Sequence, residues 1–125
     1  MISSLRGHVL HLDAESAIVE VGGVGFSVAV PASVARSLHV GDETTLHTAL
    51  IVREDALSLF GFADRDELTV FHHLLSVSGV GPKSALGVLS SLSVDQIAHA
   101  VADEDDAPFR RVSGIGPKTA KLIVV

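Results

Sequence analysis

A chain of 125 residues, 47% of them hydrophobic, can bury one ordinary core or two small ones. It has no cysteine, no apolar run of membrane-spanning length and no signal-peptide pattern at Met1-Ile2-Ser3-Ser4. These features exclude disulfides, thiolate zinc sites and iron–sulfur clusters, and a cytoplasmic location is the expectation. The net charge of −6 leaves room only for a local positive field.

Residues 1–62 read as strands. Val24, Phe26, Val28 and Val30 alternate with Gly25, Ser27 and Ala29, giving one buried face at period two. Leu46, Thr48, Leu50 and Val52 repeat the pattern. Met1–Leu12, Ala17–Val21 and Ala56–Phe62 complete about five strands. Gly22-Gly23 turns the second into the third, and Pro31–Leu38 forms a short helix after the third. That order predicts a small Greek-key barrel of the OB type. Such barrels can stack single-stranded bases on exposed aromatics, but this half offers only Phe26, Phe60 and Phe62, and the chain has no Trp or Tyr. Core packing is expected for Phe26, and packing between domains for Phe60 and Phe62.

Val52-Arg53-Glu54-Asp55-Ala56 forms a hairpin tip. Adjacent carboxylates there read as a solvated turn, with no nucleophile or base to make Glu54 and Asp55 a catalytic pair. His8 and His11 face opposite sides of a strand, and His72 and His73 diverge on a helix, so neither pair has metal-ligand geometry. No metal or cofactor is called for.

Residues 63–125 change to a helical period. Asp64 with Glu67 begins a helix carrying Leu68, Phe71 and Leu75 on one stripe. Pro82 starts the next, with Leu86 and Leu89 inward. Ser93 with Gln96 caps a third, carrying Ile97 and Val101. Asp103 to Asp106 form an acidic turn at a helix start, and Phe109 and Val112 belong to a short helix after it. Ala120–Val125 is helical and apolar without a C-capping glycine, so more chain is expected to follow.

Within this half one stretch occurs twice. Val-Ser-Gly-Val-Gly-Pro-Lys-Ser-Ala at 77–85 returns at 112–120 as Val-Ser-Gly-Ile-Gly-Pro-Lys-Thr-Ala. Each copy places a Gly-x-Gly turn (Gly79, Val80, Gly81; Gly114, Ile115, Gly116) before a proline at the first position of a new helix. Backbone N–H groups at such a turn form an anion site. Lys83 with Ser84, and Lys118 with Thr119, add a cation and a hydroxyl donor. The product is a phosphate site without base readout. Neither copy has the Gly-x-x-x-x-Gly-Lys of a nucleotide-binding P-loop. Residues 1–62 carry three basic and seven acidic side chains, and residues 63–125 six and eight; Arg110, Arg111, Lys118 and Lys121 follow the last acid, Asp106. Binding should be local and salt-sensitive.

The repeated pattern resembles the helix-hairpin-helix motif, a sequence-independent DNA-backbone clamp. With the barrel, the whole chain resembles the RuvA family of Holliday-junction-binding proteins. Leu5-Arg6-Gly7, Glu20-Val21-Gly22-Gly23-Val24-Gly25-Phe26, Val52–Ala56, Leu59-Phe60-Gly61-Phe62 and both hairpins carry the likeness. The resemblance implies two small domains, an all-β OB-fold barrel over 1–62 and an all-α tandem helix-hairpin-helix domain over 63–125. It implies a homotetramer, single or stacked as an octamer, holding four-way junction DNA open for branch migration in recombination and repair. Glu54 and Asp55 match the family's acidic pin. The ATPase is the RuvB hexamer, reached through a third domain that this sequence does not contain, and a RuvC resolvase is a further partner. Pro117 stands where many relatives have Lys.

Other readings remain open at this point. A general single-strand-binding module of the same two parts is the main alternative. A base-excision glycosylase would need a catalytic Asp or Lys and a base pocket, for which only Asp103 and Lys121 are spaced. A protein-interaction scaffold would bind no junction.

Overall fold

Five strands close into a barrel in the computed structural model, which describes residues Met1–Val125. They are β1 (Ser4–Asp13), β2 (Ser16–Val21), β3 (Val24–Ala29), β4 (Glu43–Val52) and β5 (Leu57–Phe62), with helix α1 (Ala32–Ser37) between β3 and β4. The order around the barrel is β1-β2-β3-β5-β4, and β4 returns to β1. All neighbours are antiparallel except β3 and β5, which pair in parallel at Val28↔Leu59 and Ala29↔Phe60. This is the OB-like topology expected from the strand order. Gly22 and Gly23 hold φ of 58° and 88°, the two positive values that let a two-residue hairpin match strand twist.

The inward side chains of Leu5, Ala17, Val19, Val28, Val30 and Leu46 form the barrel core, and α1 adds Val34 and Ala35. Period-two reading holds inside the barrel and fails at its hairpin ends. Val24 is 55% exposed and Val52 66%, because each stands next to a turn where no further residue covers it. β4 begins at Glu43, earlier than its apolar alternation shows, because it already pairs with His8 of β1. β1 begins at Ser4 rather than Met1. The residues before it are held from the side: the buried Thr48 donates its hydroxyl to the Ile2 carbonyl (2.6 Å) and its N–H to that of Ser3 (2.9 Å).

Close approach of β1 to β2 yields a sharp prediction. A Cβ at Gly7 would lie 1.9 Å from the Glu20 carbonyl oxygen, backbone that cannot move without opening the ladder. Gly7→Ala is expected to lower stability by about 3 kcal/mol or more in guanidinium unfolding. An unchanged midpoint would contradict the packing described.

The chain divides into two compact units, Met1–Leu68 and Thr69–Val125. The division falls inside helix α2 (Arg65–Leu75) rather than at Phe62. Asp64 caps α2, its carboxylate accepting the Glu67 N–H at 2.8 Å. Helices α3 (Pro82–Ser91), α4 (Val94–Ala102), α5 (Ala107–Arg110) and α6 (Pro117–Val124) follow. Phe71, Leu74, Val88, Leu89, Ile97 and Phe109 are among the buried residues here. Two inward assignments shift by one residue. Leu74 is the buried partner of Phe71 where Leu75 was expected, and Ala100 is buried where Val101 was, since a 3.6-residue stripe drifts from any fixed spacing. The Ser93–Gln96 capping box is complete in both directions, at 3.1 and 2.9 Å. No single helix is long and apolar enough to cross a membrane.

The Glu67 carboxyl is displaced from its ordinary value. Burial first, and then the Asp64 charge, raise its pKa above the usual 4.5, against backbone N–H groups of Ala63 and Asp64 that favour the anion. The folded state therefore holds this proton more tightly than the unfolded chain. Its contribution is present below pH 4.5 and is lost as pH rises through the higher folded value. Glu67→Gln should gain stability relative to the parent between pH 4 and pH 7, read from unfolding midpoints. A difference that does not change with pH would contradict the shift.

Candidate nucleic-acid interface

The two Gly-x-Gly turns are copies in space as well as in sequence. Gly79 and Gly114 adopt φ of 91° and 88°, the left-handed region that glycine alone enters freely. Gly81 and Gly116 are extended helix N-caps (φ −93° and −82°, ψ 175° in both), with Pro82 and Pro117 in the first helical turn. Corresponding hydrogen bonds agree in length. Val80 N–H to Val77 O and Ile115 N–H to Val112 O are both 3.1 Å; Ala85 N–H to Gly81 O and Ala120 N–H to Gly116 O are both 2.9 Å.

These bonds decide what each turn can offer. The N–H groups of Lys83 and Ser84, and of Lys118 and Thr119, precede the first intrahelical bond of α3 and α6. They lie at the positive end of a helix, where an anion is favoured. Lys83 and Lys118 are exposed beside them. Val80 and Ile115 do something else. At 7% and 5% exposure their side chains are anchors that seat the turn in the helical core, and their N–H groups close the turn on Val77 and Val112. Ser84 and Thr119 are half-buried.

The positive stretch is narrower than its residue list. Arg110 pairs with Asp106 at 3.5 Å, one turn apart on α5, while Arg111 and Lys121 are exposed. Within the acidic turn, Asp105 accepts the Ala107 N–H at 3.1 Å, a helix-start role. Glu104 takes a positive φ of 53°, a left-handed position that no turn signal marks.

Two families match in chain order. Residues 1–61 match the RuvA N terminal domain, and residues 71–125 match the SAM-like helix-hairpin-helix tandem. Across the full chain, the Holliday junction branch migration complex subunit RuvA of Leifsonia xyli is 66% identical. The chain belongs to the RuvA family. Proteins of the same name from Clavibacter michiganensis and Thermobifida fusca are 58% and 52% identical over its whole length. The chain spans 60%, 58% and 62% of these three relatives, so about three-fifths of the RuvA sequence is represented.

On the RuvA-type barrel, Glu54 and Asp55 are exposed at the β4–β5 tip. Arg53 N–H donates to Ala56 O at 2.9 Å and Val52 pairs with Leu57, so the two carboxylates stand alone at the end of a closed hairpin. The barrel offers no aromatic stacking platform: Phe60 is 7% exposed, Phe62 is fully buried, and Phe26 packs against the core.

Proposed function

We propose that this chain binds four-way DNA junctions by structure rather than sequence, and holds them open for a motor ATPase such as RuvB. The observation that carries the reading is the pair of matched turns, each with free helix-start N–H groups and an exposed lysine. The 79–81 turn with the N–H groups of Lys83 and Ser84 and the Lys83 ammonium, and the 114–116 turn with the N–H groups of Lys118 and Thr119 and the Lys118 ammonium, take successive phosphates of one arm. No base edge is read, because the donors are backbone and point charges. Glu54 and Asp55 act by repulsion. In a tetramer, four copies bring eight carboxylates to the crossover, where they keep phosphates apart and penalise continuous duplex.

The reading assigns no bond-breaking step to this chain; ATP hydrolysis belongs to the partner. Burial of the phenylalanines counts against the single-strand-binding alternative. Light scattering on complexes separated by size tests the assembly. One immobile junction with four copies of the chain, or with eight, is expected, and one copy per junction would contradict it.

A further inference from the structure

A side chain added at the first glycine of either hairpin would meet the other hairpin first. A Cβ built on Gly79 would lie 2.9 Å from Thr119 Oγ1 and 3.5 Å from its Cγ2. A Cβ on Gly114 would lie 2.7 Å from Ser84 Oγ. The relation is reciprocal, as a two-fold arrangement of the copies requires. Gly81 and Gly116, by contrast, have nothing within 4 Å of an added Cβ. One glycine of each turn therefore faces open space, and the other is a seat for a side chain from the opposite helix.

We propose that Ser84 and Thr119 are crossed positioning residues: Thr119 seats the 79–81 turn and Ser84 the 114–116 turn, so that neither phosphate site is set independently. This rests on reading the turns as phosphate sites, and it changes what the two hydroxyl residues do. Each was expected to serve its own hairpin as a donor. Their contacts instead fix the separation of the two turns, which sets the span between the phosphates a single arm presents. Glycine is then required at 79 and 114 twice over, by positive φ and by the side chain packed against it.

Crossed rescue tests this. Gly79→Ala is expected to weaken junction binding about tenfold and lower the unfolding midpoint. Adding Thr119→Ala removes the clash and should recover about threefold in affinity with part of the midpoint, whereas adding Ser84→Ala should recover neither. For Gly114→Ala the partners exchange: Ser84→Ala rescues and Thr119→Ala does not. The cost of positive φ is common to both doubles and cancels. Amide spectra give a second readout. The Gly79 signal should move more in Thr119→Ala than in Ser84→Ala, and the Gly114 signal the reverse. Equal rescue by both partners, rescue by neither, or uncrossed shifts would overturn the proposal. If the parent chain retains no junction at all, the phosphate-site reading fails, while midpoints and amide shifts still decide the crossing.

Discussion

Gly114→Asp should reduce junction binding by a hundredfold or more while leaving the barrel folded. Three effects act in one direction. Aspartate at φ 88° costs about 1–2 kcal/mol of backbone strain. Its Cβ meets Ser84 Oγ at 2.7 Å, so the 114–116 turn has to shift. Its carboxylate then sits where a phosphate is expected, and losing a charge-assisted bond to the backbone costs about 1.5–3 kcal/mol. The strain acts on binding by displacing the turn, and with the lost bond and the repulsion between carboxylate and phosphate the loss reaches the roughly 2.7 kcal/mol that a hundredfold change represents. Retention gels check the affinity, and circular dichroism checks that the protein is folded. Lys118→Gln provides the milder comparison. It leaves the turn intact and should cost about threefold to tenfold, with a shallower salt dependence by about one counterion. A Gly114→Asp protein that is folded and binds the junction normally would remove the second hairpin from the mechanism.

The second large effect concerns selectivity rather than strength. Glu54→Gln with Asp55→Asn neutralises the exposed tip of the β4–β5 hairpin, and neither side chain has packing to lose. Stability should therefore stay within about 0.5 kcal/mol of the parent. Binding to linear duplex should rise, and the preference for junction over duplex should fall about tenfold, since like charges facing each other cost several kcal/mol when multiplied over an assembly. Competition between labelled junction and unlabelled duplex measures the ratio. An unchanged ratio would make the carboxylates a solvated turn and nothing more.

Much of this was legible because the decisive signals are local. Gly22-Gly23, the Ser93–Gln96 box and the two Gly-x-Gly-Pro turns each specify their backbone within a few residues, and the structure forms all of them. The barrel order followed from alternation in β3 and β4 together with a helix after the third strand. Its limits were equally physical. Alternation cannot show where a sheet stops covering a side chain, so Val24 and Val52 were placed inward and are exposed. Apolar identity does not show how a turn residue is held, so nothing in the sequence marked the Val80 and Ile115 side chains as the buried anchors of their turns. The contacts of Ser84 with Gly114 and of Thr119 with Gly79 join residues far apart in the chain, and no periodicity reports them.

Recognition of junction structure is open to a competition gel shift. A labelled immobile four-way junction is challenged with excess linear duplex and excess single strand at physiological salt, where non-specific backbone contacts are weaker than at low salt. The junction complex should survive both competitors. Equal or better competition by the single strand would contradict it and return the barrel to ordinary single-strand binding.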